Sequence, residues 1–121
     1  MKETYEIGLQ GENTAAEYLK RKKGMILLEQ RFRTKCGEID LVMKDGETIV
    51  FIEVKTRTTS ETGSGLAAVN LAKQKRIAQA AVLYLARKGW MRKNARFDLV
   101  EVCGTDILHI PNAFQPYGRF M

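Results

Sequence analysis

Gly37-Glu38-Ile39-Asp40-Leu41-Val42-Met43-Lys44-Asp45-Gly46-Glu47-Thr48-Ile49-Val50-Phe51-Ile52-Glu53-Val54-Lys55 is the stretch that decides the fold. Ile39, Leu41 and Met43 alternate with Glu38, Asp40 and Val42, the period of two that marks a strand. Asp45-Gly46 supplies a hairpin turn, and Thr48 to Lys55 returns as a β-rich run. With the turn centred on Asp45-Gly46, Lys44 faces Glu47 and Met43 faces Thr48. Asp40 then lies opposite Phe51, with Glu53 as its diagonal neighbour at a Cβ separation of at most about 7–8 Å. Glu38 lies directly opposite Glu53, and Lys55 shares the face of Glu53 because side chains two apart on a strand point the same way. One sheet face thereby collects Glu38, Asp40, Glu53 and Lys55.

Working outward, Met25 to Leu28 opens a strand that runs towards Arg33. Before it, Ala15, Ala16 and Leu19 mark a helix from Gly11 to Lys23. Lys20-Arg21-Lys22-Lys23 suits the negative end of its dipole, and Gly24 stops it. After the hairpin, Thr56 to Gly65 is rich in Thr, Ser and Gly, has no apolar period and reads as an exposed, mobile loop. Asn70 caps a second helix through Lys88, carried by Ile77, Ala81, Tyr84 and Leu85 and ended at Gly89. Arg96 to Cys103 reads as a further strand and Ile107 to Ile110 as a short last one. The α-β-β-β-α-β order predicts an α/β fold, a mixed sheet flanked by helices.

The chain has 121 residues, a length that suits one domain over residues 1–121. Its 20 Lys and Arg against 14 Asp and Glu leave a net charge of +6. That excess favours an anionic partner, nucleic acid first and an acidic membrane surface second. Cys36 and Cys103 cannot make a disulfide framework and form no CxxC pair. The first residues, Met1 to Glu6, lack the apolar core of a signal peptide, and no apolar run approaches the ~20 residues of a spanning helix. A cytoplasmic protein with no membrane span is the expectation.

Acids gathered on one face repel one another and weaken the sheet. A divalent cation removes that cost, because Mg²⁺ takes hard oxygen ligands from one or two carboxylates together with water. Held by Asp40 and Glu53, it would polarise a phosphate oxygen and lower the pKa of a bound water. Lys55 would orient the attacking water or offset charge developing on the phosphate. Glu12 shares the apolar stripe of Ala15, Ala16 and Leu19, so it faces inward and is a fourth candidate for the same metal. The residues alone also admit a plainer reading for each. Asp40, Glu53 and Lys55 can be a solvated strand face with a Glu–Lys pair, and Glu12 an exposed helix acid. Glu38 is either an acid behind the ligands or an edge charge near a turn.

The pattern of an Asp followed on the adjoining strand by Glu-x-Lys resembles the PD-(D/E)xK nuclease superfamily, with its restriction-endonuclease-like fold. Gly11-Glu12, Gly37-Glu38-Ile39-Asp40-Leu41, Phe51-Ile52-Glu53-Val54-Lys55-Thr56-Arg57, Lys73 to Ile77 and Asn112-Ala113-Phe114 together look like the YraN-like bacterial family. This resemblance covers nearly the whole chain. Within the superfamily the chain is most similar to archaeal Holliday-junction resolvases, which also carry a Glu on the first helix. The similarity implies Glu12, Asp40 and Glu53 as acidic metal-site residues, the Val54 carbonyl as a further ligand and Lys55 as the catalytic lysine. Ile39 stands where the superfamily name has Pro, a common replacement. The implied activity is a Mg²⁺- or Mn²⁺-dependent DNA endonuclease, with branched DNA as the substrate class to which the resolvase likeness points. The alternative is a nucleic-acid-binding or interaction module that keeps the fold without turnover. Junction selectivity is not carried by four residues.

Arg31, Arg33 and Lys35 precede the acidic strand and Arg57 follows Lys55, close enough in sequence to flank the site and touch phosphates. Lys73 shares a helical stripe with Ile77, Ala80, Ala81 and Tyr84, which turns it towards the sheet and makes it a further phosphate candidate. Phosphate contacts alone admit RNA as well as DNA. Resolvase-like enzymes act as dimers, so a homodimer is allowed, although no interface is legible. His109 reads as structural, Cys36 as a loop thiol and Cys103 as a packing residue. Trp90 and Tyr117 read as local packing groups, with base stacking as the alternative.

Overall fold

The computed structural model describes residues 2–57 and 69–115. Its elements are α1 (Lys2–Lys23), β1 (Ile26–Arg33), β2 (Glu38–Asp45), β3 (Thr48–Arg57), α2 (Leu71–Lys88), β4 (Ala95–Cys103) and β5 (Asp106–Phe114). The five strands form one sheet in the order β1-β2-β3-β4-β5. Neighbours are antiparallel except β3 and β4, which run parallel because α2 carries the chain back between them. The α/β architecture with a mixed sheet is the one expected from the sequence.

Each helix covers one face. Ile77, Ala80, Ala81, Tyr84 and Leu85 of α2 pack on Val42, Ile49, Phe51, Phe97 and Leu99. Ala15, Ala16 and Leu19 of α1 pack on Leu41, Met43, Val50, Ile52, Val100 and Val102. Central strands enclosed on both faces explain the near-continuous apolar runs of β3 and β4. Tyr84 anchors the α2 side edge-on to Phe32 and Phe51, with ring centroids 5.1 and 6.0 Å away. Asn70 caps α2 by accepting from the Lys73 N–H at 2.9 Å, and Gly89 ends it with φ +74°, as the sequence reading has it.

Four boundaries differ from expectation. The hairpin turn is Gly46-Glu47, not Asp45-Gly46, and Asp45 pairs with Thr48 across its base. Glycine takes the first central position with φ +61°, where it relieves the strain any side chain would suffer. The helix α1 starts at Lys2 rather than Gly11, since Gly8 and Gly11 lie within it. A Cβ on Gly11 would stand 2.1 Å from Thr56 Oγ1, so the glycine is there to let α1 touch β3 rather than to begin a helix. Thr56 and Arg57 belong to β3, held by parallel pairing with Val102 and Cys103. The rest of the loop expected over Thr56–Gly65 lies outside the described residues apart from those two, and so does Tyr117. Finally, the last strand runs on past Ile110 to Phe114. Leu99 pairs with Ile110 and Phe97 with Phe114, so Pro111, Asn112 and Ala113 bulge out opposite Asp98, and a proline is tolerated there.

Among the described residues no helix is long and apolar enough to cross a membrane.

Candidate active site

The corrected turn changes which acids meet. Pairing of β2 with β3 ends at Leu41–Ile52, Phe51 pairs with Val42, and just past the last pair the Asp40 and Glu53 side chains meet. Moving the turn by one residue shifts each partner by two, so side-chain parity and the shared face survive. Glu38 does not oppose Glu53. It is exposed, pairs with Arg33 on β1, and its carboxylate lies 3.9 Å from that guanidinium.

At Asp40 a side chain enters the ladder. The Val54 N–H donates to Asp40 Oδ2 at 2.8 Å, which fixes the carboxyl against the β3 backbone between Glu53 and Lys55. Burial pushes the Asp40 carboxyl up to about 8, and the Glu53 charge and, more weakly, that of Glu12 add to the shift against the Val54 hydrogen bond. Glu53 is only 6% exposed. Its Oε2 receives the Lys73 ammonium from the first turn of α2 and lies 3.7 Å from Lys55 Nζ. Burial and the neighbouring Lys73 lower the pKa of Lys55. For Lys73 burial acts in the same sense, but the hydrogen bond and charge of Glu53 outweigh it and the pKa rises.

Glu12 reaches this end of the sheet from α1, on the opposite face to α2. Its Oε1 accepts from Arg31 Nε at 2.8 Å, and both side chains are largely buried. Arg31 holds a left-handed backbone (φ +56°) between Gln30, which pairs with Leu41, and Phe32, which pairs with Ile39, an uncommon and strained conformation for a residue other than glycine. Arg31 Nη2 lies near Gly8 of α1, 3.8 Å from where a Cβ would stand, an ordinary van der Waals distance. Three acids (Glu12, Asp40, Glu53) and three cations (Arg31, Lys55, Lys73) therefore share one end of the molecule.

As hard oxygen donors in mutual repulsion, Asp40 and Glu53 fit a divalent cation. Glu12 is engaged by Arg31, and among the described residues no three His, Cys, Asp or Glu side chains stand grouped to hold a metal ion. The remaining sequence candidates lie around the cluster. Arg33 and Lys35 are exposed at the β1–β2 turn. Arg57 ends β3 with its Nε buried and without a hydrogen-bond partner among the described residues.

Sequence reading did not anticipate Arg31 as the partner of Glu12, and a left-handed arginine leaves no signature in composition or period. It also passed over two buried acids of β4. Glu101, 3% exposed, stands beside Lys55 in the β3–β4 register. Asp98, fully buried, accepts from Arg96 Nε at 3.0 Å and the Asn112 N–H at 2.8 Å and lies 2.8 Å from His109 Nε2. The signal was present: both acids interrupt the apolar run from Phe97 to Val102.

Residues 11–102 match the model of the "Uncharacterised protein family UPF0102". The chain belongs to that family. A UPF0102 protein of Geobacter sulfurreducens is 43% identical over 114 residues, covering 90% of this chain and 88% of its own. A UPF0102 protein of Clostridium botulinum is 45% identical over 117 residues, covering 91% and 94%. One of Syntrophus aciditrophicus is 42% identical over 124 residues, covering 98% and 97%. The matched family region contains Glu12, Asp40, Glu53, Lys55 and Lys73, and it stops before the Asn112-Ala113-Phe114 segment.

Proposed function

We propose that this UPF0102 protein is a metal-dependent DNA endonuclease of the PD-(D/E)xK type, cutting a phosphodiester in one step of water attack. The observation that carries the reading is the meeting of Asp40 and Glu53, carboxyl facing carboxyl, with Lys55 and Lys73 at their side. Two acids so placed cost stability, and Asp40 keeps its proton up to about pH 8 in the absence of a cation. Asp40 and Glu53 would hold Mg²⁺ or Mn²⁺ together with the Val54 carbonyl, and Glu12, paired with Arg31, would support the ion through water. When bound, the ion supplies Lewis-acid activation of the phosphate and of its water.

The chain's own residues then have distinct tasks. Lys55 sits 3.7 Å from Glu53 with its pKa lowered by burial and Lys73, so it can take a proton from the attacking water or present its charge to the phosphate. Lys73 pairs with Glu53 in the chain as it stands, and with Glu53 taken up as a ligand its ammonium would be available to a phosphate oxygen. Arg31 holds Glu12 in place. Arg33, Lys35 and Arg57 flank the cluster as backbone-phosphate contacts. The resolvase likeness makes branched DNA the first substrate to try.

One observation favours the rival reading, a nucleic-acid-binding or interaction module without turnover. Glu12 and Glu53 already have cationic partners from the chain itself, so the cluster is closed as it stands. The two readings separate when branched, flap, single-stranded and linear DNA are offered with Mg²⁺ or Mn²⁺ to wild type and Glu53→Gln. Cleavage is expected from wild type and a loss of about 10²–10³-fold from the variant. Cleavage that persists unchanged in Glu53→Gln overturns the assignment, and binding to every substrate without cleavage favours the module.

A further inference from the structure

The β1–β2 turn and α2 enclose a groove of about 310 Å³ beside the carboxylate cluster, lined by Thr34, Lys35, Gly37, Glu38, Lys73 and Arg76 among others. Its walls are stiff. Thr34 Oγ1 accepts the N–H groups of Cys36 and Gly37 at 3.0 Å each and donates to the Gly37 carbonyl at 2.8 Å, so the turn is cross-braced by one hydroxyl. Gly37 is pressed directly on α2, where a Cβ would stand 2.8 Å from the Arg76 carbonyl oxygen. Only glycine allows the turn this close to the helix, and that seat holds Lys35 and Arg76 on opposite walls.

The charge of the groove is one-sided. Lys35, Lys73 and Arg76 face a single carboxylate, Glu38, which is exposed and near Arg33. Lys35 and Arg76 are both exposed, and neither makes an ion pair among the described residues. Folding has no evident use for them there. Lys73 belongs to both places, since it lines the groove and pairs with Glu53, so one side chain joins the groove to the cluster. Three cations around a preformed concavity of this size suit a compact dianion or a backbone phosphate.

We infer that this groove is a backbone-phosphate subsite, which seats the nucleic-acid strand next to the phosphodiester held at Asp40 and Glu53. The inference rests on the nuclease reading and adds a strand path to it, with Arg76 and Lys35 as the contacts. A fluorescein-labelled DNA duplex is titrated by anisotropy in EDTA, which removes turnover from the measurement, at several salt concentrations. The proteins are wild type, Lys35→Gln/Arg76→Gln, and Arg21→Gln/Lys22→Gln at the end of α1 as a charge-matched control. Loss of one to two phosphate contacts lowers the salt slope of log K by about 1–2 and weakens binding roughly 5–20-fold at moderate salt. The control keeps the wild-type slope. A Lys35→Gln/Arg76→Gln protein that matches wild type in slope and affinity, or a control that loses as much, overturns the groove and leaves the nuclease reading standing. Wild type that neither binds in EDTA nor cleaves with metal overturns both.

Discussion

Asp98 and Asp40 are both acids embedded in the same sheet, and their surroundings push them in opposite directions. Asp98 is fully buried, yet Arg96, His109 and the Asn112 N–H all supply it with hydrogen bonds. Burial acts to raise its pKa, but those partners and the Arg96 charge outweigh it and the carboxyl is held below the ordinary range. Asp40 has one backbone donor and two acids for neighbours, and it rises to about 8. The first arrangement spends a carboxylate on holding β5 and its bulge in place, with Arg96 also tied to Asp45 at 3.0 Å. The second leaves Asp40 with a single donor, the Val54 N–H, beside two other acids. Acids in a sheet thus divide by whether the chain itself completes them, as it does Asp98, or leaves them short of partners, as it does Asp40.

The comparison breaks most visibly at Asp98. Asp98→Ala would strip His109 of its Nε2 partner, leave Arg96 with Asp45 alone and orphan the Asn112 N–H. A cost of about 3–5 kcal/mol is expected in urea unfolding, the range for breaking a buried charged network. A loss under about 1 kcal/mol would mean that the network does not hold β5.

The site end is constrained sterically instead. Gly11→Ala meets Thr56 Oγ1 and should cost about 1–3 kcal/mol. Thr56→Ala in the same chain should recover most of it, so a double-mutant cycle reads the contact directly. Additive effects in that cycle would mean that α1 does not approach β3 through Gly11.

The smallest effect is the one that separates the two acids by pH. Asp98, with its pKa depressed, contributes stability above about pH 4 that is lost as pH falls through its folded-state value. Asp40 has the reverse sign. Its proton is held more tightly in the folded chain, so its contribution is complete below about pH 4 and is lost as pH rises towards 8. In chelator, Asp40→Asn should remove the alkaline decline and exceed wild type at pH 9 by about 1 kcal/mol or more, because asparagine keeps an oxygen for the Val54 N–H. Parallel pH–stability curves for the two proteins would contradict the raised pKa.

Much of this was legible in residue order. Asn70 and Gly89 marked α2, the β2–β3 alternation marked the hairpin, and Glu53-Val54-Lys55 put an acid and an ammonium on one face. Lys73 was legible as a residue turned towards the sheet, and its pairing with Glu53 agrees. What could not be read depended on backbone geometry. Gly46 rather than Asp45 opens the turn, Arg31 adopts a left-handed conformation, and Pro111 to Ala113 bulge around Asp98. Each is a choice of dihedral angle that several residue types permit and only packing selects.

Sequence by itself determined the elements, their faces and the parity that keeps Asp40, Glu53 and Lys55 on one side, since periods of 2 and 3.6 follow from local backbone geometry. Only tertiary structure decided that the Asp40 and Glu53 side chains meet, that Glu12 answers to Arg31 and that Lys73 bridges cluster and groove. Those meetings join residues from 13 (Asp40 and Glu53) to 39 (Thr34 and Lys73) positions apart along the chain, and where they meet is fixed by the register of strands and the seating of helices. Local sequence pattern does not encode that distance.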